Sequence, residues 1–219
     1  MLNVIYEDNH LLVVEKPVNI LSQGDNTNDD DMVNLLKKYL KEKYNKPGNV
    51  FVGLVHRLDR PVGGIMVFAK TSKAASRLSE QVRNKTFKKT YKAVLHGEMK
   101  KKQDNLSDYL YKDKKTNMVS VVNKNHKDAK DAKLSYKTLA SNNGFSLVEI
   151  DLQTGRPHQI RVQFSSRNHP LYGDQRYGKN VNKKGQQIAL WSYKIEIEHP
   201  TKKEKMEFVC EPPNKYPWN

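Results

Sequence analysis

Residues 56–64, "HRLDRPVGG", set one carboxylate, Asp59, between Arg57 and Arg60, just before an apolar run. Nearby positive charge favours the ionised form of a carboxyl group, so Asp59 is expected to be an anion in a cationic setting. An ionised, positioned carboxylate can act as a nucleophile. It also repels phosphate, so a protein that only coated a nucleic acid would gain nothing from it. Charge alone leaves two readings open: Asp59 pairs structurally with an arginine, as ion-pair networks often require, or it acts on something the cations have bound.

Those groups need a scaffold and a partner. At 219 residues the chain can bury a sizeable core, and a single domain over 1–219 is the default expectation. Lysine and arginine number 39 against 24 acids, a formal charge of +15 that favours a polyanionic partner. The surplus is mostly lysine, gathered in "MKKKQD", "YKDKKTNM" and "NKNHKDAKDAK" between residues 99 and 131. This segment is read as an insertion that contacts the phosphates of such a partner, with a solvated loop as the plain alternative. No stretch has the bulky apolar face of a membrane-surface helix.

The single Cys210 excludes an internal disulfide framework and any zinc site with paired thiolates, which fits a reducing compartment. The N-terminus "MLNVIYEDNHLLVVEKP" has acids where a signal peptide needs a basic start and a long apolar run. No later run approaches membrane-spanning length, so a soluble, cytoplasmic protein without a membrane partner is expected. A P-loop, a dinucleotide fingerprint and clustered metal ligands are all missing from the sequence, and no cofactor or metal is expected.

The opening runs "NVIY" and "HLLVVEKP" predict a hairpin closed by "EDN" and ended by Pro17. A polar loop over 22–31 ends in an aspartate able to cap "MVNLLKKYLKEKY", where Met32, Leu35, Leu36, Tyr39 and Leu40 share a face. "GGIMVFAK" reads as a buried strand, and "TSKAASRLSEQVRN" as a helix capped at Thr71 or Ser72 with Ala75, Leu78 and Val82 inward. The second half carries strand patterns in "KKTYKAVLHGE", "NMVSVVN", "KLSYKTLA", "FSLVEIDLQ", "IALWSYKIEIEHP" and "EKMEFVCE", with "SNNG" as a turn. "TGRPHQIRVQFSSRNHP" fits strand or helix, and a short helix is favoured because Pro157 suits a helix start. The sum is an α+β fold, a mainly antiparallel mixed sheet flanked by a few helices.

Four stretches, in order, resemble a known family. "HRLDR" followed by a glycine and "FAKT" is similar to the central signature of the RluA-type pseudouridine synthases. "VIYEDNHLLVVEKP" is similar to that family's opening hairpin, "KKTYKAVLHG" to its tyrosine-bearing strand, and "TGRPHQIRVQFSSRNHPLYGDQRYG" to its late arginine motif. A lone "RLD" would say little; four motifs in sequence order covering nearly the whole chain say much more.

The resemblance implies the catalytic-domain fold of that family and isomerisation of a uridine in RNA, ribosomal or transfer, through a flipped-out base. It makes Asp59 the catalytic carboxylate, as nucleophile toward ribose or base or as base in the glycosidic step. Tyr91 would stack on the target base, where an aromatic face replaces part of the lost stacking. Arg161 would pair with the catalytic carboxylate, and Arg57 would enter the RNA where the nucleotide leaves. Without the resemblance, Tyr91 reads as an ordinary core tyrosine and Arg161 as a phosphate ligand. His56 and His158 read as structural supports.

Two departures stand out. Val62, Gly63 and Gly64 occupy positions where the family commonly has Thr-Ser-Gly, and "LWS" near residue 190, with Trp191, replaces Leu-His-Ala. The glycines are read as a flexible turn that lets the active loop approach closely. Because the hairpin begins at residue 3, no added N-terminal RNA-binding domain is expected, and a monomer acting on RNA and not DNA is the simplest assembly. Two alternatives in other classes are a non-catalytic RNA-binding protein and a carboxylate-dependent glycoside hydrolase. The hydrolase would need a second placed carboxylate, for which neither Glu15 nor Glu80 has a motif.

Overall fold

A computed structural model describes residues 2–25, 27 and 29–219 of the chain. Asn26 and Asn28, in the polar loop expected over 22–31, lie outside the described residues. The element order begins β1 (Asn3–Glu7), β2 (Leu11–Lys16), α1 (Met32–Lys43), β3 (Gly53–Leu54), β4 (Gly63–Ala69), α2 (Ser72–Arg83) and β5 (Lys88–His96). It continues β6 (Gln103–Lys112), β7 (Val119–Val122), β8 (Lys130–Asn142), β9 (Phe145–Leu152), α3 (Gln159–Ser165), β10 (Leu190–Glu198) and β11 (Lys205–Val209). The fold class is α+β, as the strand-rich pattern with three helical segments requires. The chain forms two compact units, Met1–Lys88 with Ser192–Glu211 and Lys89–Trp191 with Pro212–Asn219.

In the first unit the β1–β2 hairpin closes because Asp8 Oδ1 accepts the backbone N–H groups of His10 and Leu11, each at 2.7 Å. Strand β2 lies antiparallel between β1 and β4, in register Leu11↔Ala69 through Lys16↔Gly64. All seven residues of β4 are buried, which is why its sequence is a continuous apolar run and not an alternation. Asp31 caps α1 by accepting the Asn34 N–H, and Thr71 caps α2 by accepting that of Ala74. Leu11, Val13, Ile65, Val67, Leu78, Phe87, Ile195 and Phe208 form the core. On α2 it is Ala74 that is buried with Leu78, while Ala75 and Val82 pack at the edge of that core.

Gly63 and Gly64 are the first residues of β4 and both are buried, as the reading of "GGIMVFAK" as a buried strand expects; only the flexible turn also read into them is replaced. Gly64 has φ +111°, and a Cβ there would stand 2.3 Å from the Ser192 carbonyl oxygen. Glycine is required by this close approach of two strands, not by mobility of the turn before it.

The second unit is an antiparallel run in the order β5-β9-β8-β6-β7. Asn143 and Gly144, both at positive φ (51° and 77°), make the tight turn between β8 and β9 that "SNNG" promised. The lysine-rich segment 99–131 also needs correcting, because it is not a loop insertion. It holds β6 as well as β7, with Leu106, Leu110 and Val119 buried on one face. The lysines stand at the exposed ends and turns of these strands, which hid the alternation of β6. Helix α3 packs through Val162 against Leu110, Val119 and Ala132.

Candidate active site

Asp59 lies on the turn that precedes β4, where the Val62 N–H donates to the Asp59 carbonyl at 2.9 Å. Three buried groups fix this turn. Ser22 clamps Leu58 from both sides, its Oγ donating to the Leu58 carbonyl (2.7 Å) and accepting the Leu58 N–H (3.0 Å). His56 Nε2 accepts the Val67 N–H at 3.0 Å, which leaves that nitrogen unprotonated and makes His56 a strut for the strand. Lys16, fully buried, donates to the carbonyls of Pro17, Ile20 and Arg60 at 2.9, 2.6 and 3.0 Å. Burial pushes its pKa down to about 7, against the pull of the Asp59 carboxylate.

With its backbone held, the turn presents its polar side chains outward. Asp59 is half-buried, and Arg57 and Arg60 are exposed. Arg60 reaches back to Asp29, Nη1 to Oδ2 at 2.7 Å, and to the Asn19 carbonyl. Arg57 is thus the solvent-facing guanidinium of the pair, in keeping with the alternation of "HRLDR" along an extended turn.

In the second unit Tyr91 sits on β5 opposite Ile150 and is 6% exposed. Arg161 is on the first turns of α3, all of whose residues from Gln159 to Phe164 are buried. Its guanidinium grips Asp174 with two bonds, Nε to Oδ2 and Nη2 to Oδ1, both 2.8 Å. Asp174 Oδ1 also accepts the N–H groups of Arg176 and Tyr177. Burial alone would raise the pKa of Asp174, yet the Arg161 bonds and these amides outweigh it and hold the carboxyl below its usual range.

The Arg161 guanidinium also lies over the Tyr177 ring, 5.2 Å from its centroid. The Tyr177 hydroxyl bridges the Val119 N–H (3.0 Å) and His158 Nδ1 (2.7 Å). His158, in the left-handed conformation at φ 51°, stands at the start of α3. The family motif assigns Arg161 to the catalytic carboxylate, and no motif marks Asp174, Tyr177 or Lys16. Asp174 stood within the quoted "YGDQRYG", but nothing in its spacing marks it as the partner of a residue thirteen positions away.

The chain matches the family described as RNA pseudouridylate synthase over residues 10–166. It belongs to that family. The family match spans Asp59, Tyr91 and Arg161 and stops short of Asp174. Among relatives, an uncharacterized RNA pseudouridine synthase of Bacillus subtilis is 35% identical over 202 residues, 91% of this chain and 65% of the relative. The ribosomal large subunit pseudouridine synthase D of Borreliella burgdorferi is 32% identical, over 97% of this chain and 66% of the relative. The chain therefore spans about two thirds of the length of these relatives, and slightly less than that. A human structure, RNA pseudouridylate synthase domain containing 4, shares the fold with a TM-score of 0.79 at 21% identity, over 97% of this chain and 89% of that one. This family membership agrees with the RluA-type motifs, and among the described residues no helix is long and apolar enough to cross a membrane.

Proposed function

We propose that the chain isomerises uridine to pseudouridine in RNA, with Asp59 as the reacting carboxylate. The C1′–N1 bond of the nucleotide breaks and a C1′–C5 bond forms; C5 gives up its proton and N1 gains one, so no oxidant or energy donor is needed. The observation that carries this reading is the family match across the stretch in which Lys16, Ser22 and His56 hold the Asp59 turn. A reacting group benefits from a backbone that does not move between ground and transition states.

Tyr91 stacks on the displaced base, and Arg57, exposed beside Asp59, fills the gap left in the RNA. Arg161, held by its two bonds to Asp174, is the guanidinium that the family resemblance assigns to the catalytic carboxylate. The names of the Borreliella and other relatives, ribosomal large subunit pseudouridine synthases, make large-subunit ribosomal RNA the substrate to test first, with transfer RNA second. The exposed lysines around β6 and β7 add phosphate contacts. The chain works as one catalytic domain and a monomer, in the cytoplasm, without cofactor.

The test is a pseudouridine map of RNA from cells lacking the protein, complemented with the wild-type chain or with Asp59→Asn. One or a few sites restored only by wild type are expected. If no site differs among the three, the synthase reading fails, and a non-catalytic RNA-binding role takes its place.

A further inference from the structure

Lys89 is a cation for which the described protein supplies no anion. It is half-buried on β5, two residues before Tyr91, and so lies on the same face of the strand as that ring. Thr90, between them, faces the other way and donates to Asp151 Oδ1 at 3.0 Å, which takes the neighbouring acid of the ladder to the opposite face. Among the described residues the Lys89 ammonium forms no ion pair and no hydrogen bond, and burial lowers its pKa. Elsewhere the chain treats such lysines differently: Lys70 has Glu7 at 2.7 Å, and Lys16 has three carbonyls.

What lies over Lys89 is an exposed glycine. A Cβ built on Gly155 would stand 3.2 Å from Lys89 Nζ, so any larger residue there would cover the ammonium. The Gly155 N–H likewise donates to no acceptor among the described residues. Its neighbours are anchored: Thr154 Oγ1 and the Arg156 N–H both donate to Gln159 Oε1, at 2.7 and 3.1 Å. Lys89 thus stands on the Tyr91 face of β5 beneath a braced, open loop that carries a second unused donor. A partly desolvated ammonium gains most from a full negative charge, and an amide N–H beside it suits a multi-oxygen anion.

We propose that Lys89, with the Gly155 amide, binds a backbone phosphate of the RNA next to the nucleotide held at Tyr91. The inference rests on the synthase reading for the identity of the anion. Lys89 is a positioning residue here, setting where the strand lies while other groups do the chemistry.

The test compares wild type, Lys89→Met and Lys89→Arg as full chains, with RNA from cells lacking the protein as the probe. Lys89→Met keeps the apolar stem and removes the charge. It is expected to bind about tenfold more weakly, the scale of one charge-assisted hydrogen bond. The slope of log affinity against log salt should fall in magnitude by about 0.7–0.9, one phosphate contact. Pseudouridine formation should show a raised KM with kcat close to wild type, and Lys89→Arg should restore affinity and slope. Wild-type affinity and slope in Lys89→Met would overturn the proposal, as would equal loss in both variants accompanied by a lowered Tm. If Lys89→Met fails to fold, acylation of the wild-type chain with and without RNA decides: protection of Lys89 supports the phosphate contact, and equal labelling overturns it. Uridine conversion by wild type is followed on the same RNA, so an absence of product with binding intact sinks the synthase reading separately from the lysine.

Discussion

Two buried cations, one in each unit, are held by opposite means. Arg161 is matched by a full charge, the Asp174 carboxylate, in a planar two-bond grip. Lys16 is surrounded by neutral carbonyl oxygens, two from its own loop and one from Arg60 on the Asp59 turn. The fork of arginine suits a carboxylate, and the point charge of lysine suits converging dipoles. The difference matters for function. A second carboxylate against the Asp59 turn would compete for its cationic surroundings, whereas carbonyls tie the turn down without adding an anion.

That contrast is sharpest where a partner is removed. Asp174→Ala should cost about 3–5 kcal/mol, the range for breaking a buried ion pair, because the guanidinium loses its counter-charge and two amides lose their acceptor. Denaturant unfolding would measure it, and a loss below about 1 kcal/mol would mean that solvent replaces the carboxylate easily. Glu7 tests the charge-paired mode in the first unit, where it takes Lys43, Lys70, Tyr39 and Tyr44 together. Burial opposes ionisation of Glu7, but these bonds prevail and lower its pKa from 4.5 to about 2. Between those two values the unfolded chain binds more protons than the folded one, so stability rises with pH there. The contribution is complete above about pH 4.5 and disappears as pH falls through about 2, amounting to at most about 3.5 kcal/mol at ~1.4 kcal/mol per pKa unit. An acid titration of Tm should show this limb in wild type and a flatter one in Glu7→Gln.

Lys16→Met probes the carbonyl-held mode. It keeps the apolar stem and leaves three buried acceptors without their donor, and each unsatisfied group costs about 1–3 kcal/mol before relaxation. A net loss of about 2 kcal/mol is expected, smaller than for Asp174→Ala, because loop carbonyls can turn toward water. The functional signature should be larger than the stability change. With Arg60 released the Asp59 turn loosens, so kcat should fall while RNA affinity holds; affinity falling with kcat intact would separate Lys16 from the turn.

The same contrast explains what could be read from the residues. Helices α1 and α2 were legible because Asp31 and Thr71 cap them and their apolar residues repeat at helical spacing. Strand β4 was legible from its unbroken apolar run. Strand β6 was not, since only Leu106 and Leu110 are fully buried along it and the charges around it imitate a solvated loop. Of the candidate residues, Asp59, Tyr91, Arg57 and Arg161 are picked out by motif resemblance, and charge alone leaves each with an ordinary structural reading. Lys16 and Asp174 escaped for a physical reason. A buried ion's partner is chosen by the fold, and loop carbonyls or an acid thirteen residues away leave no periodic trace.

The second unit also holds cations of the opposite kind, exposed instead of buried. Lys112, Lys114 and Lys115 stand exposed at the end of β6 and the turn after it, whereas Arg161 is enclosed. Changing all three to Gln should leave Tm nearly unmoved, within about 0.5 kcal/mol, because solvated charges contribute little to folding. RNA binding should respond, with a salt slope shallower by about 2–3 if each lysine neutralises one phosphate. An unchanged slope would mean these lysines are a solvated face and that capture of RNA rests on residues nearer Asp59 and Tyr91. A changed slope without change in kcat would assign the hairpin to holding the RNA and leave chemistry to the braced turn.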